Sequence, residues 1–122
     1  MVYLWLALGG ALGTISRYTV SGWVAARYPS FPWGTFTVNI VGALVIGFFL
    51  TLAEERLLVA PEVRVFVATG FLGGFTTFST FSWETMALLR DGALAPALGN
   101  AAGSLLTGLF AVYLGIVLAR LV

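Results

Sequence analysis

A chain of 122 residues that is 60% hydrophobic and only 9% charged, with a mean hydropathy of +1.02, cannot cover a water-facing surface. Six arginines against five acids leave a net charge of +1, with no basic cluster to grip a nucleic acid. His and Cys are both absent, which excludes zinc fingers, disulfides, iron–sulfur centres, thiol chemistry and imidazole catalysis.

The elements follow from where the charges are missing. Residues 28–53, 65–83 and 92–119 carry none, and about 20 apolar residues suffice to cross a hydrocarbon core. The N-terminal stretch is similar, interrupted only by Arg17. The pattern predicts an all-α integral membrane protein, one domain over 1–122, with spans near 3–26, 33–53, 63–89 and 95–120. Met1–Leu8 lacks the basic start of a cleaved signal peptide.

In the first helix, Gly9 and Gly13 form a GxxxG, and Arg17 lies far enough from mid-span to snorkel. Tyr28-Pro29-Ser30-Phe31-Pro32 stops that helix and pre-sets the next. Asn39 falls near the centre of the second helix. There it serves either as a helix–helix hydrogen bond or as the wall of a pathway. Glu54-Glu55-Arg56 through Pro61-Glu62 is the most charged connection, and Arg90-Asp91-Gly92 is the last one. The fourth helix carries Asn100 near its start, then Ser104 and Thr107, and the hydroxyls of these last two can bond back to their own helix. It also repeats GxxxG at Gly99 and Gly103, and Thr107, Ala111 and Gly115 extend that small-residue ridge.

The third helix is the anomaly. It runs Thr69-Gly70-Phe71-Leu72-Gly73-Gly74-Phe75-Thr76-Thr77-Phe78-Ser79-Thr80-Phe81-Ser82. Each Gly costs a helix interior about 1 kcal/mol relative to Ala. Backbone freed in lipid must find partners. Either this is a continuous Gly-rich packing helix, or it breaks where its carbonyls line a cavity or hold a hard cation such as Na⁺. Phe71, Phe75, Phe78 and Phe81 keep helical spacing, which fits a core or lipid-facing stripe. Ser79, Thr80 and Ser82 interleave hydroxyl donors with these rings. Ring edges are electropositive, so rings and donors together suit a small, strongly hydrated anion.

No segment is long enough for an ATP-binding module, which leaves a channel, an ion-coupled transporter or a membrane subunit, with no nucleotide partner. With four spans, Arg56, Arg64 and Arg120 share one side and Arg27 and Arg90 the other. So small a bias fits one fixed orientation, or insertion both ways and an antiparallel pair.

Gly70 through Ser82 closely resembles the signature of the CrcB/Fluc family of bacterial fluoride channels. Gly34-Thr35-Phe36-Thr37-Val38-Asn39-Ile40-Val41-Gly42 is similar to that family's second-helix motif. Gly9-Gly10-Ala11-Leu12-Gly13 with Arg17-Tyr18 resembles its opening. The resemblance implies a dual-topology antiparallel homodimer in the bacterial cytoplasmic membrane, with third helices broken mid-membrane and two fluoride pores at the interface. It implies a structural, untransported Na⁺ on the carbonyls of Gly73 and Thr76. It implies that Asn39, Phe78, Phe81, Ser79, Thr80 and Ser104 line the pore and that Arg17 lies at its vestibule. The expected partners are fluoride, a second copy and lipid. A small multidrug exporter would need an acid in the first helix, where this chain has Arg17. A non-transporting assembly subunit is the other alternative.

Overall fold

A computed structural model describes residues 1–122 and is helical throughout. Helix α1 covers Val2–Arg27 and α2 covers Trp33–Glu54. The third traverse is composite: α3 over Pro61–Arg64, a π-helical segment over Val65–Leu72, α4 over Gly73–Phe75, then α5 over Phe78–Arg90. Helix α6 covers Leu94–Arg120. Trp33–Glu54, Pro61–Arg90 and Leu94–Arg120 are long and apolar enough to cross a membrane. α1 matches them in length, with 26 residues, but Thr14, Ser16, Arg17, Thr19 and Ser21 dilute its apolar character.

Local chemistry sets the ends. Pro61 opens α3 at a position where its missing N–H is no loss. At the end of α5, Gly92 takes a φ of +76°, its N–H reaches Leu89 O at 3.0 Å, and the Ala93 N–H reaches Leu88 O at 2.9 Å. That is the Schellman pattern, which satisfies the last free carbonyls of a helix.

The helices pack as two close pairs, α1 against the π segment and α2 against α6. A Cβ on Gly9 would collide with Phe66 O, and one on Gly13 with Phe71 O. The same holds for Gly47 against Val112 O and Gly115 against Leu44 O. Lipid offers helices no hydrophobic drive to associate, so this backbone-to-backbone contact holds the bundle together. Gly13→Ala must therefore push α1 off the third traverse, at a cost of about 1–3 kcal/mol. Its melting midpoint in detergent should fall, whereas Gly22→Ala, with open space around Gly22, should melt like the parent. Gly99 and Gly103 have nothing within 4 Å, so this GxxxG is unused inside one chain.

The two ends differ in their electrostatics. At one end Arg120 grips both oxygens of Glu55 at 2.7 and 2.9 Å, Arg64 pairs with Glu54, and Arg56 donates to Val122 O at 3.0 Å. The hydrogen bond from Arg120 holds the Glu55 carboxyl below its usual range. The pair's small, exposed contribution is therefore present above the ordinary carboxylate value and is lost as pH falls through the lowered one. At the other end, Arg27 sits 4.6 Å from the Trp23 ring centroid and Arg90 4.9 Å from that of Trp83. Trp at this level suits a membrane–water interface.

Candidate functional site

The break falls at Thr76 and Thr77, between α4 and α5. Both residues are extended, with φ and ψ of −99° and 156° and of −150° and 114°. Both are ordinary backbone conformations for β-branched residues. Breaking a helix strands carbonyls on its first half and N–H groups on its second. Several of them find named partners. Leu72 O accepts from the Thr76 N–H at 3.0 Å and from its hydroxyl at 2.9 Å. Gly74 O accepts from Arg17 Nε at 2.9 Å. A cation at the C-terminal end of the half-helix also opposes its dipole.

Asn39 holds the other side. Its Nδ2 donates to Thr77 O at 3.1 Å, and its Oδ1 accepts from the Thr77 N–H at 2.8 Å. One amide thus replaces both backbone bonds that Thr77 loses at the break. Thr77 then caps α5, its Oγ1 accepting from the Thr80 N–H at 3.2 Å. Gly42 of α2 leaves room for the Thr76 methyl group, which a Cβ at that position would strike.

The break turns the aromatic stripe. Phe71 and Phe75 remain stacked, their centroids 5.7 Å apart, and Phe75 is buried. Beyond the break, Phe78 is 80% exposed and lies 5.9 Å from Phe81, the rings tilted by 46°. These two rings border a groove of about 590 Å³ on one face of the bundle. Asn39, Gly73, Thr76, Thr77 and Ser104 line it as well, among aliphatic side chains of α2 and α6. One face thus gathers six of the nine residues singled out above: Asn39, Gly73, Thr76, Phe78, Phe81 and Ser104.

The other three sit elsewhere. Thr80 lines a second cavity of about 340 Å³ with Tyr18, Ser21, Thr35 and Glu84. Ser79 is exposed outside both cavities, 3.5 Å from the Thr77 hydroxyl. Arg17 is tied to the break at Gly74 rather than extended alone toward the membrane surface. Sequence reasoning missed that tie, since the partners lie 57 residues apart. It also assigned nothing to Glu84, whose Oε1 is buried without a hydrogen-bond partner.

Compared with known families, residues 4–116 match the model described as CrcB-like protein, Camphor Resistance (CrcB). The chain belongs to the CrcB family. The protein named fluoride-specific ion channel FluC in Opitutus terrae is 56% identical over 117 residues, covering 93% of this chain and 89% of its own. Its namesake in Geotalea uraniireducens is 49% identical, covering 96% and 95%. That of Methylocella silvestris is 48% identical, covering 98% and 93%. Membership in the CrcB family, with apolar helices of spanning length, makes this chain a multi-pass membrane protein. The relatives' names describe channels, in accord with the expectation of a protein that is not an enzyme.

Proposed function

We propose that this chain is a fluoride-selective channel that lets fluoride leave the cell passively, working as an antiparallel homodimer of four-span subunits in a bacterial cytoplasmic membrane. The observation that carries the reading is the groove. It combines an Asn amide, a Ser hydroxyl and two Phe rings on an exposed face, with no charged side chain among its lining residues. Relatives named fluoride-specific ion channels support the choice of anion.

The chemistry suits a small anion. Fluoride must shed water to enter a groove this apolar, so fixed donors must replace its hydration. Asn39 has one N–H left after its bond to Thr77; Ser104 lies on the same face, with its single hydroxyl proton resting on Asn100 Oδ1 at 3.3 Å. The Phe78 and Phe81 edges add positive potential without a full charge, so the ion is held weakly enough to move on. Hydrofluoric acid that crosses lipid dissociates in a more alkaline cytoplasm, and a negative-inside potential then drives the anion out.

One copy leaves the groove without an outer wall, and a second copy packed on this face encloses it. Arg17 fits the vestibule role by drawing anions toward the break, its Nε bond to Gly74 O notwithstanding.

A structural Na⁺ fits the donor set. Leu72 O, Gly74 O and Thr77 O all accept hydrogen bonds, whereas no turn, cap or side-chain bond reaches Gly73 O, Phe75 O or Thr76 O. Gly73 is exposed, with open space around it. Bound there, Na⁺ would supply a fixed positive charge shared by the two copies, through carbonyl oxygens that suit a hard cation.

The test is a fluoride electrode reading on liposomes that hold the purified protein and a fluoride gradient, with no ATP and a potassium shunt. Fluoride release well above that of empty liposomes is expected, and release at the empty-liposome rate overturns the reading. Replacing Na⁺ throughout by a large organic cation should silence the same preparation. Unchanged release would remove the central ion from the account.

A further inference from the structure

Helix α5 carries both groove rings, yet none of its residues is buried. Every other long helix buries at least two. Within one chain, apolar packing therefore does little to fix the rotation of α5 about its axis, and that rotation decides whether ring edges or ring faces border the groove. Two polar links hold it. One is the bond pair between Asn39 and Thr77 at its start. The other lies further along and involves Asn100.

Asn100 is 3% exposed, on the face of α6 that meets α5. A buried amide is tolerated only when it is bonded. Here its Nδ2 donates to Thr85 Oγ1 at 2.9 Å, and its Oδ1 accepts from the Ser104 hydroxyl at 3.3 Å. Thr85 in turn donates its hydroxyl to Phe81 O at 2.8 Å. A Thr hydroxyl bonded one turn back is ordinary in a helix. Here the same oxygen also accepts from a neighbouring helix, so the backbone of Phe81 is linked through one side chain to α6. The relay runs from Ser104, on the groove, through Asn100 and Thr85 to Phe81, also on the groove.

We infer that Asn100 and Thr85 are positioning residues: the relay sets the rotation of α5, so that the Phe81 edge faces the groove, and holds the Ser104 hydroxyl beside it. Neither residue lines the groove. Their effect on the ion is indirect, through ring and hydroxyl placement, and it shows in selectivity more than in stability. The inference rests on the reading of the groove as a fluoride path.

The test compares fluoride and chloride permeability of reconstituted variants. Thr85→Val keeps the shape and removes both hydroxyl bonds. It should lower the fluoride-to-chloride ratio at least about fivefold while eluting as the parent does. Thr85→Ser restores the hydroxyl and should restore the ratio. Asn100→Leu should match Thr85→Val, and the double variant should be no worse than either, since the two side chains act as one link. If Thr85→Val is not recovered folded, Thr85→Ala reads the same bonds. A parental ratio in Thr85→Val and Asn100→Leu, failure of Thr85→Ser to restore it, or additive losses in the double variant would overturn the inference. Absence of fluoride flux in the parent protein would strike the channel reading instead.

Discussion

Asn39→Ala should abolish fluoride release and lower the unfolding free energy by an amount on the order of 3 kcal/mol. The reason is the double bond pair to Thr77, N–H to Oδ1 at 2.8 Å and Nδ2 to carbonyl at 3.1 Å. Alanine leaves both backbone groups of Thr77 without partners inside a membrane protein, where water does not replace them. The break would then be held by Arg17, the Thr76 bonds to Leu72 O and the Thr77 cap. Asn39→Asp separates the two roles. It keeps an acceptor for the Thr77 N–H but loses the donor and sets a carboxylate against the Thr77 carbonyl, so it should be partly stable and still silent. Denaturation in detergent with fluoride release on the same samples checks both. An Asn39→Ala protein as stable as its parent would show that the amide is not a clamp.

Phe78→Ile is expected to act on flux with the fold left alone. Phe78 is 80% exposed, so little within the chain rests on its ring, and the change in subunit stability should stay within about 0.5 kcal/mol. An aliphatic side chain fills similar space but has no positive edge to offer an anion. Fluoride release should drop about tenfold or more, with elution volume and melting midpoint unchanged. Parental flux in this variant would remove ring edges from the account and leave the donors to carry it.

The helices were legible because hydrocarbon demands uninterrupted apolar length, and arginines and acids mark where such length ends. α1 is present as a helix of the expected extent, but its hydroxyls and Arg17 leave it less apolar than the three helices of spanning character. Gly9 and Gly13 were legible as close-packing residues, whereas Gly99 and Gly103 meet nothing within one chain, and the glycines of the third helix are not where it leaves helical geometry. Gly70 and Gly74 approach α1 backbone, and the extended residues are Thr76 and Thr77 just beyond. Thr favours extended backbone and caps the next helix with its own hydroxyl, which is why the break follows the glycine run.

The π geometry of Val65–Leu72 left no mark in the spacing of apolar residues, because every face there is apolar. Of the site, the segment Gly70 to Ser82 and Asn39 were visible as anomalies. What they bond to was not, because Arg17 with Gly74 and Asn39 with Thr77 meet only after the helices pack. Of the two readings open for Asn39, the helix-to-helix hydrogen bond is present, and the residue also borders the groove.

The most direct test of the central claim, that the groove passes fluoride and rejects other halides, measures fluoride and chloride release from the same proteoliposomes under the same driving force. Fluoride should leave faster than chloride by about a hundredfold or more, since donors and ring edges spaced for the smaller ion cannot replace the hydration of the larger. Equal rates for the two ions would contradict the account.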